Sequence, residues 1–163
     1  MNTSEGIILK KVGVGEADAL YTIYTEHFGK VRALAKGVKK EEAKLKGHLE
    51  TLCLSRVSFI EGRNGTPRLT RALLLNFWPL LRVRETTLRL GAAVAGEVDA
   101  ECLLGERDDA LWELICNTFA GLDAVTFSDD TADHFLQNFR MRLREVLGYG
   151  NTAMEKGAGM EYH

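Results

Sequence analysis

The stretch that decides the fold is residues 19–38, ALYTIYTEHFGKVRALAKGV, in which two apolar runs flank the turn His27-Phe28-Gly29-Lys30. Both runs are rich in β-branched, aromatic and small apolar residues, and their lengths suit strands better than helices. Glycine fits the turn because a tight reversal of the chain often needs a positive φ. The stretch therefore predicts a pair of neighbouring strands.

The same pattern extends over the whole first half of the chain. The predicted strands are residues 6–12, 19–28, 30–38, 48–61 and 68–77. Five strands joined by short polar or glycine-bearing turns indicate a small barrel. Residues 39–47 form a charged segment without an apolar face, which could be a loop or a fraying helical turn.

Pro79 marks a change from strand-like to helical spacing of the apolar residues. A first helix is expected to carry Val83, Leu90, Val94 and Val98 on one stripe. A second is expected over residues 111–122 after Asp108 and Asp109, and a third over 131–147 with Ser128 as its cap. The predicted fold class is α+β, with a barrel domain at 1–78, a helical domain at 79–149 and a disordered tail at 150–163.

Charge is divided by position along the chain. Residues 1–84 carry 15 Lys and Arg against 8 Asp and Glu, whereas residues 85–163 carry 6 against 15. The formal net charge of −2 therefore hides a half at +7 and a half at −9. Clustered cations can replace the counterions of a polyanion, so the first half is expected to bind nucleic acid.

The third strand gives the sharpest geometric argument for a binding face. Alternation places Lys30, Arg32 and Lys36 on one side of this strand and small apolar residues on the other. A single-strand-binding barrel usually combines such a cationic track with aromatic platforms for the bases. The candidate base-stacking residues are Tyr21, Tyr24 and Phe28. The candidate DNA-binding residues are Lys10, Lys11, Lys30, Arg32, Lys36, Lys39, Lys40, Lys44 and Lys46.

Catalysis, metals and cofactors find little support in the sequence. No His or Cys pair has metal-ligand spacing, and no glycine-rich loop carries a nucleotide-binding lysine. Cys53, Cys102 and Cys116 are odd in number and widely spaced, which favours reduced core thiols in a cytoplasm. No apolar run is long enough to span a membrane. We expect a non-enzymatic protein without metal or cofactor.

Four stretches resemble the RecO family of bacterial recombination mediators. They are residues 4–9 (SEGIIL), 15–20 (GEADAL), 27–38 (HFGKVRALAKGV) and 135–149 (FLQNFRMRLREVLGY). The resemblance implies an N-terminal oligonucleotide-binding (OB) fold followed by a helical domain, and a role in binding and annealing single- and double-stranded DNA during recombination and repair. It also implies that the DNA-binding role falls on Lys30, Arg32, Lys36, Lys39 and Lys40.

The resemblance further implies partners and a location. The expected partners are the acidic tail of single-stranded-DNA-binding protein, RecR and, indirectly, the recombinase RecA, in a nucleoid-associated cytoplasmic setting. Arg140 and Arg144, one helical turn apart, could meet the acidic tail, or could simply complement the dipole of an exposed helix end. Many family members carry a four-cysteine zinc module, and this sequence lacks those cysteines.

Two other functions are compatible with the sequence. The chain could be a protein-interaction adaptor with weak DNA affinity, or an OB-fold protein that binds RNA. The 2′-hydroxyl is the systematic difference between the two nucleic acids, and the sequence does not discriminate between them.

Overall fold

The structure, a computed structural model, describes residues 1–40 and 44–149. The strands are β1 (Asn2–Val14), β2 (Asp18–Thr25), β3 (Gly29–Ala35), β4 (Leu54–Ile60) and β5 (Arg68–Asn76). The helices that follow them are α1 (Pro79–Val83), α2 (Glu85–Glu101), α3 (Asp109–Ala124) and α4 (Asp129–Leu147). A single 3₁₀ turn, Arg63–Gly65, lies between β4 and β5.

The five strands close into a barrel in the order β1-β2-β3-β5-β4. Neighbouring strands are antiparallel except β3 and β5, which meet in parallel at Leu34 and Arg68. The long β1 closes the barrel, because its first half pairs with β4 and its second half with β2. A shift in register between Ile8 and Lys10 marks the irregularity in the β1–β2 pairing. The predicted fold class, an OB-type barrel followed by helices, is confirmed.

The segment between β3 and β4 differs from the prediction. The fourth strand begins at Leu54 rather than at residue 48, because the chain before it turns through Leu52 at φ 70°. Backbone hydrogen bonds from the Leu52 N–H to the Ile8 carbonyl and from the Ile8 N–H to the Cys53 carbonyl tie this turn to β1. Residues 44–47 form turns, and Leu45 packs against the barrel core, so the charged segment does contribute one apolar contact.

The helices follow the predicted apolar spacing, except that the predicted first helix is divided in two. The predicted first helix is two helices, because Arg84 between α1 and α2 has an extended backbone at φ −111° and ψ 126°. The side chain of Asp108 caps α3 by accepting a hydrogen bond from the Leu111 N–H at 3.0 Å. Ser128 caps α4, as predicted, and forms a reciprocal capping box with Thr131.

Two hydrophobic cores hold the molecule together. The barrel core includes Ile8, Tyr21 and Ile23, whereas the second core joins residues of β1 and β2, such as Ile7, to the helices. Successive side chains of a strand point to opposite faces, so β1 contributes to both cores. The change from strands to helices falls at residues 77–78, beside the predicted boundary, but the second core crosses it. Division into two domains stays a prediction, and the predicted tail at 150–163 lies outside the described residues.

Candidate nucleic-acid interface

A groove runs over one side of the barrel as a series of cavities that share lining residues. The first cavity, of about 660 Å³, lies beside β2 and β3, and the second, of about 630 Å³, lies beside the β4–β5 turn. They share Leu20 and Thr66. In OB folds, the β2–β3 face and the β4–β5 loop are the surfaces that bind oligonucleotides.

The groove continues past the turn towards the other end of β5. A third cavity of about 460 Å³ shares Lys36 and Arg68 with the second, and a fourth of about 400 Å³ shares Lys44 and Leu45 with the third. We call the four cavities together the basic groove. Each cavity has lining residues in common with the next, so the four cavities adjoin one another on the barrel surface.

Exposed cations from three strands and their connections line the basic groove. They are Arg32, Lys36, Lys44, Arg56, Arg63, Arg68 and Arg71. Among the described side chains that line the four cavities, Glu61 is the one carboxylate. Leu20 and Leu34, both half-buried, give the groove apolar patches between these charges. The arrangement offers charge to phosphates and apolar surface to bases.

Local structure explains why the β3 cations reach the groove. Arg32 alternates with the buried Val31 and Ala33, so it points away from the barrel core. Lys36 follows directly after β3, where the Gly37 N–H donates a hydrogen bond of 2.7 Å to the Asp18 carboxylate. Of the predicted DNA-binding residues, the structure brings Arg32, Lys36 and Lys44 together in the basic groove.

Lys30 also lines the first cavity, but its charge is used inside the protein. Its side chain is 8% exposed, and its Nζ donates a hydrogen bond of 2.9 Å to the Asp99 carbonyl. The same Nζ lies 3.3 Å from the Asp99 carboxylate, with which it forms an ion pair. Helix α2 thus covers the end of β3 and neutralises this cation. The prediction that Lys30 contacts phosphate is therefore corrected.

The remaining predicted cations do not line the basic groove. Lys39 donates a hydrogen bond of 2.9 Å to the Gly15 carbonyl at the β1–β2 turn. The Nζ of Lys11 lies 5.8 Å from the centroid of the Tyr21 ring. The other three, all exposed, are Lys10, Lys40 and Lys46.

The aromatic residues are divided between the cores and the groove. Tyr21 is 1% exposed in the barrel core, and Tyr24 is 0% exposed in the second core. Burial raises the pKa of both hydroxyl groups. The predicted base-stacking role of these two tyrosines is corrected, because neither ring has a face open to a ligand. Phe28 is half-buried, lines the first cavity and makes an edge contact with Phe59 at a centroid distance of 5.3 Å.

Sequence reasoning missed four arginines of the groove. Arg56, Arg63, Arg68 and Arg71 lie on β4, on β5 or in the turn between them. All four lie in the positively charged half of the sequence, but their positions in the sequence alone do not show which surface they share. The OB strand order, which sets β5 between β3 and β4, is the information that places them beside Arg32 and Lys36.

The two predicted tail-binding arginines lie on the exposed side of α4. The Nε of Arg140 donates a hydrogen bond of 2.7 Å to the Glu97 carboxylate, which braces α4 against α2. Arg144, one turn later, is exposed. The predicted contact with an acidic tail stays a prediction.

Of the three free cysteines, Cys53 and Cys102 are buried and Cys116 is half-buried. Burial raises the pKa of Cys102 to about 11, partly opposed by the nearby Lys30 ammonium, and burial raises the pKa of Cys116 to about 12. Both therefore stay neutral thiols near pH 7. Within residues 1–40 and 44–149, no three His, Cys, Asp or Glu residues are grouped so that they could hold a metal ion. No helix in the same ranges has the length and apolar character needed to cross a membrane.

A closed five-stranded barrel in OB strand order, with a basic groove on its surface and helices packed against it, defines an OB-fold protein with an appended helical part. Residues 1–78 match the family described as "Recombination protein O N terminal". The barrel therefore matches the N-terminal region of the RecO family, and the resemblance noted in the sequence is confirmed.

Curated relatives extend the similarity into the helices. The chain is 31% identical over 123 residues to the DNA repair protein RecO of Acaryochloris marina, covering 76% of this chain and 42% of the relative. It is 28% identical over 149 residues to that of Dehalococcoides mccartyi, covering 90% and 56%, respectively. It is 26% identical over 147 residues to that of Syntrophus aciditrophicus, covering 90% and 55%. The chain spans about half the length of these curated relatives.

Proposed function

We propose that the protein binds single-stranded DNA along the basic groove as a non-catalytic component of DNA recombination and repair. The observation that carries this proposal is the lining of the groove, which holds seven exposed Lys and Arg side chains and one carboxylate, Glu61, although Arg56 also pairs with Glu5 at 3.6 Å. The similarity to proteins named DNA repair protein RecO supports the biological setting.

The groove suggests how binding and annealing would work. Lysine and arginine replace condensed counterions along the phosphate chain, and the release of these ions drives binding. Apolar residues such as Leu20 and Leu34 leave room for bases between the charges. A strand whose phosphates are neutralised repels a second strand less, so we propose that annealing and the binding of double-stranded DNA follow from the same surface.

The proposed function also includes protein partners. We propose that the protein acts with RecR and with the tail of single-stranded-DNA-binding protein to help load the recombinase RecA. Exposed Arg144 supports an acidic tail as a ligand, since a free guanidinium can pair with carboxylates. Arg140 is a weaker candidate for the same role, because its guanidinium already donates a hydrogen bond to the Glu97 carboxylate.

The first prediction tests the groove by charge reversal. We expect the Arg32→Glu/Lys36→Glu/Arg68→Glu variant to lose more than about tenfold of its affinity for a labelled single-stranded oligonucleotide. The slope of log affinity against log salt should become shallower by about 2, because each phosphate contact on a single strand contributes about 0.7. Fluorescence anisotropy over a salt series measures both quantities, after circular dichroism has confirmed that the variant is folded.

The matched control is Lys10→Glu/Lys11→Glu/Lys46→Glu, which makes the same change in net charge outside the groove. Equal losses in the two variants would contradict a groove-specific site. A salt slope near zero in the unchanged protein would contradict DNA binding itself and favour the adaptor role. Tighter binding to RNA than to DNA of the same sequence would favour the RNA-binding alternative, because the 2′-hydroxyl is the systematic difference between them.

A further inference from the structure

The segment between α2 and α3 forms one wall of the first cavity. Leu104 and Gly105 line this cavity together with residues of β2, β3 and the β4–β5 turn. This is the point at which the helical part of the chain reaches the basic groove. This wall is apolar, and an exposed leucine would not strengthen a groove that binds its ligand by charge alone.

Backbone contacts fix this wall to β3. The Gly105 N–H donates a hydrogen bond of 2.9 Å to the Lys30 carbonyl, and Leu104 forms a parallel bridge with Lys30. The Lys30 side chain holds the end of α2 through Asp99, which lies three residues before Cys102. Gly29 lies directly beneath the Glu106 backbone. The wall is therefore held from both ends rather than hanging free over the cavity.

The chemistry of the cavity matches that of a nucleobase. Phe28, Phe59, Pro67 and Leu104 give it apolar walls, and the exposed Arg32 lies at the same cavity. Leu104 is 53% exposed, so much of its apolar surface is not covered by the described residues. A flat base stacks on apolar and aromatic side chains in a sequence-tolerant way, while its phosphate pairs with a nearby cation.

We propose that the first cavity holds one unstacked nucleobase of a bound strand and that Leu104, supplied by the helical part, is the side chain that packs on it. The inference rests on the proposed function, since it names what the DNA places at this end of the basic groove. It assigns to the α2–α3 segment a direct role in ligand binding, beyond its role as a connection.

The test uses two adjacent leucines as variant and control. Leu103 is 67% exposed and does not line the first cavity, whereas Leu104 does. We expect Leu104→Ser to weaken binding of a single-stranded DNA oligonucleotide by about five- to tenfold, at the lower end of the cost of removing an aromatic stacking partner, because leucine packs on a base without an aromatic face. Leu103→Ser should leave this affinity unchanged. Neither variant should alter binding of an abasic deoxyribose-phosphate chain of the same length, which keeps the phosphates and lacks the bases.

Fluorescence anisotropy on both ligands gives the affinities, and an oligonucleotide carrying 2-aminopurine gives a second measurement. Unstacking should raise the 2-aminopurine emission on binding, and Leu104→Ser should reduce that rise. Equal affinities of the two leucine variants, or an equal loss on the abasic chain, would overturn the base cavity while leaving DNA binding intact. Failure of the unchanged protein to bind either ligand would overturn the proposed function and this inference together.

Discussion

At the scale of single residues, the elements packed around a strand decide which of its cationic side chains stay exposed. Lys30 and Arg32 lie on one face of β3, yet one is buried against Asp99 and the other is exposed in the basic groove. The difference comes from α2, which lies 69 residues further along the chain at Asp99. Strand alternation predicts the shared face, but a local pattern contains no information about a distant helix.

A second prediction tests the Lys30–Asp99 ion pair. We expect Asp99→Asn to lower the free energy of unfolding by about 2 kcal/mol, because the substitution removes a charge-assisted hydrogen bond and leaves a buried ammonium without its counterion. The control is Arg107→Met, which breaks an exposed pair with Asp109 at 3.0 Å. Such exposed pairs contribute no more than about 1 kcal/mol. Urea unfolding compares the two, and equal shifts would contradict the prediction.

Tyr21 and Tyr24 show why the aromatic part of the site could not be predicted. Being three residues apart on β2, they point to opposite faces of the strand, so alternation suggests that one of them faces solvent. Both are buried, because the barrel core covers one face and the helices cover the other. By contrast, alternation did identify Arg32, whose face stays open.

At the scale of elements, the contact between the β2–β3 turn and the α2–α3 segment depends on one glycine. Gly29 has φ +63°, and a Cβ atom there would meet the Glu106 backbone. Gly15 has nearly the same φ, +62°, with nothing close to the position of a Cβ. The two glycines therefore separate the cost of the backbone conformation from the cost of the contact.

A third prediction uses this pair. We expect Gly15→Ala to lower the free energy of unfolding by about 1 kcal/mol, the cost of a left-handed backbone for an L-residue. Gly29→Ala should cost at least about twice as much, because the α2–α3 segment must also move away from β3. Thermal or urea unfolding measures the two variants side by side. Similar costs would show that the segment yields easily and would weaken its assignment as a fixed wall.

Most elements were predictable from the sequence because their signals are local. Run length, residue composition and glycine-bearing turns located the strands, and the spacing of apolar residues located α3 and α4, the latter together with its Ser128 cap. The start of β4 was not predictable, because it depends on Leu52 adopting a positive φ under hydrogen bonds to β1. The division at Arg84 is set by packing of the short α1 and has no strong sequence marker.

At the scale of the whole molecule, the second core makes the barrel and the helices depend on each other. Ile7, Leu9 and Tyr24 of the barrel are buried with helix residues such as Phe119. Removing the helices would expose these side chains to water, and each fully exposed large apolar side chain costs about 1.5 to 3 kcal/mol. Residues 1–78 match the family model "Recombination protein O N terminal" without the helices. The stability of the barrel nevertheless depends on the apolar side chains that the helices cover.

A fourth prediction follows for unfolding. We expect the full chain to unfold in one cooperative transition, with far-ultraviolet and near-ultraviolet circular dichroism giving the same midpoint. A chain ended after Trp78 should show no comparable cooperative transition, because its Tyr24 face loses its cover. Two separate transitions in the full chain, or a native-like shortened barrel, would contradict a shared core and support two independent domains.

The division of charge between the two halves of the sequence has a consequence for the approach to DNA. Residues 1–84, which include the barrel, carry +7, and the residues after them, which include α2 to α4, carry −9, so the charge separation along the chain gives the molecule an electric dipole moment. A polyanion exerts a torque on such a dipole at a distance, turning the barrel forward before any atoms touch. Under the proposed function, collisions with DNA would occur already oriented, and raising the ionic strength would slow the association rate as this torque is screened.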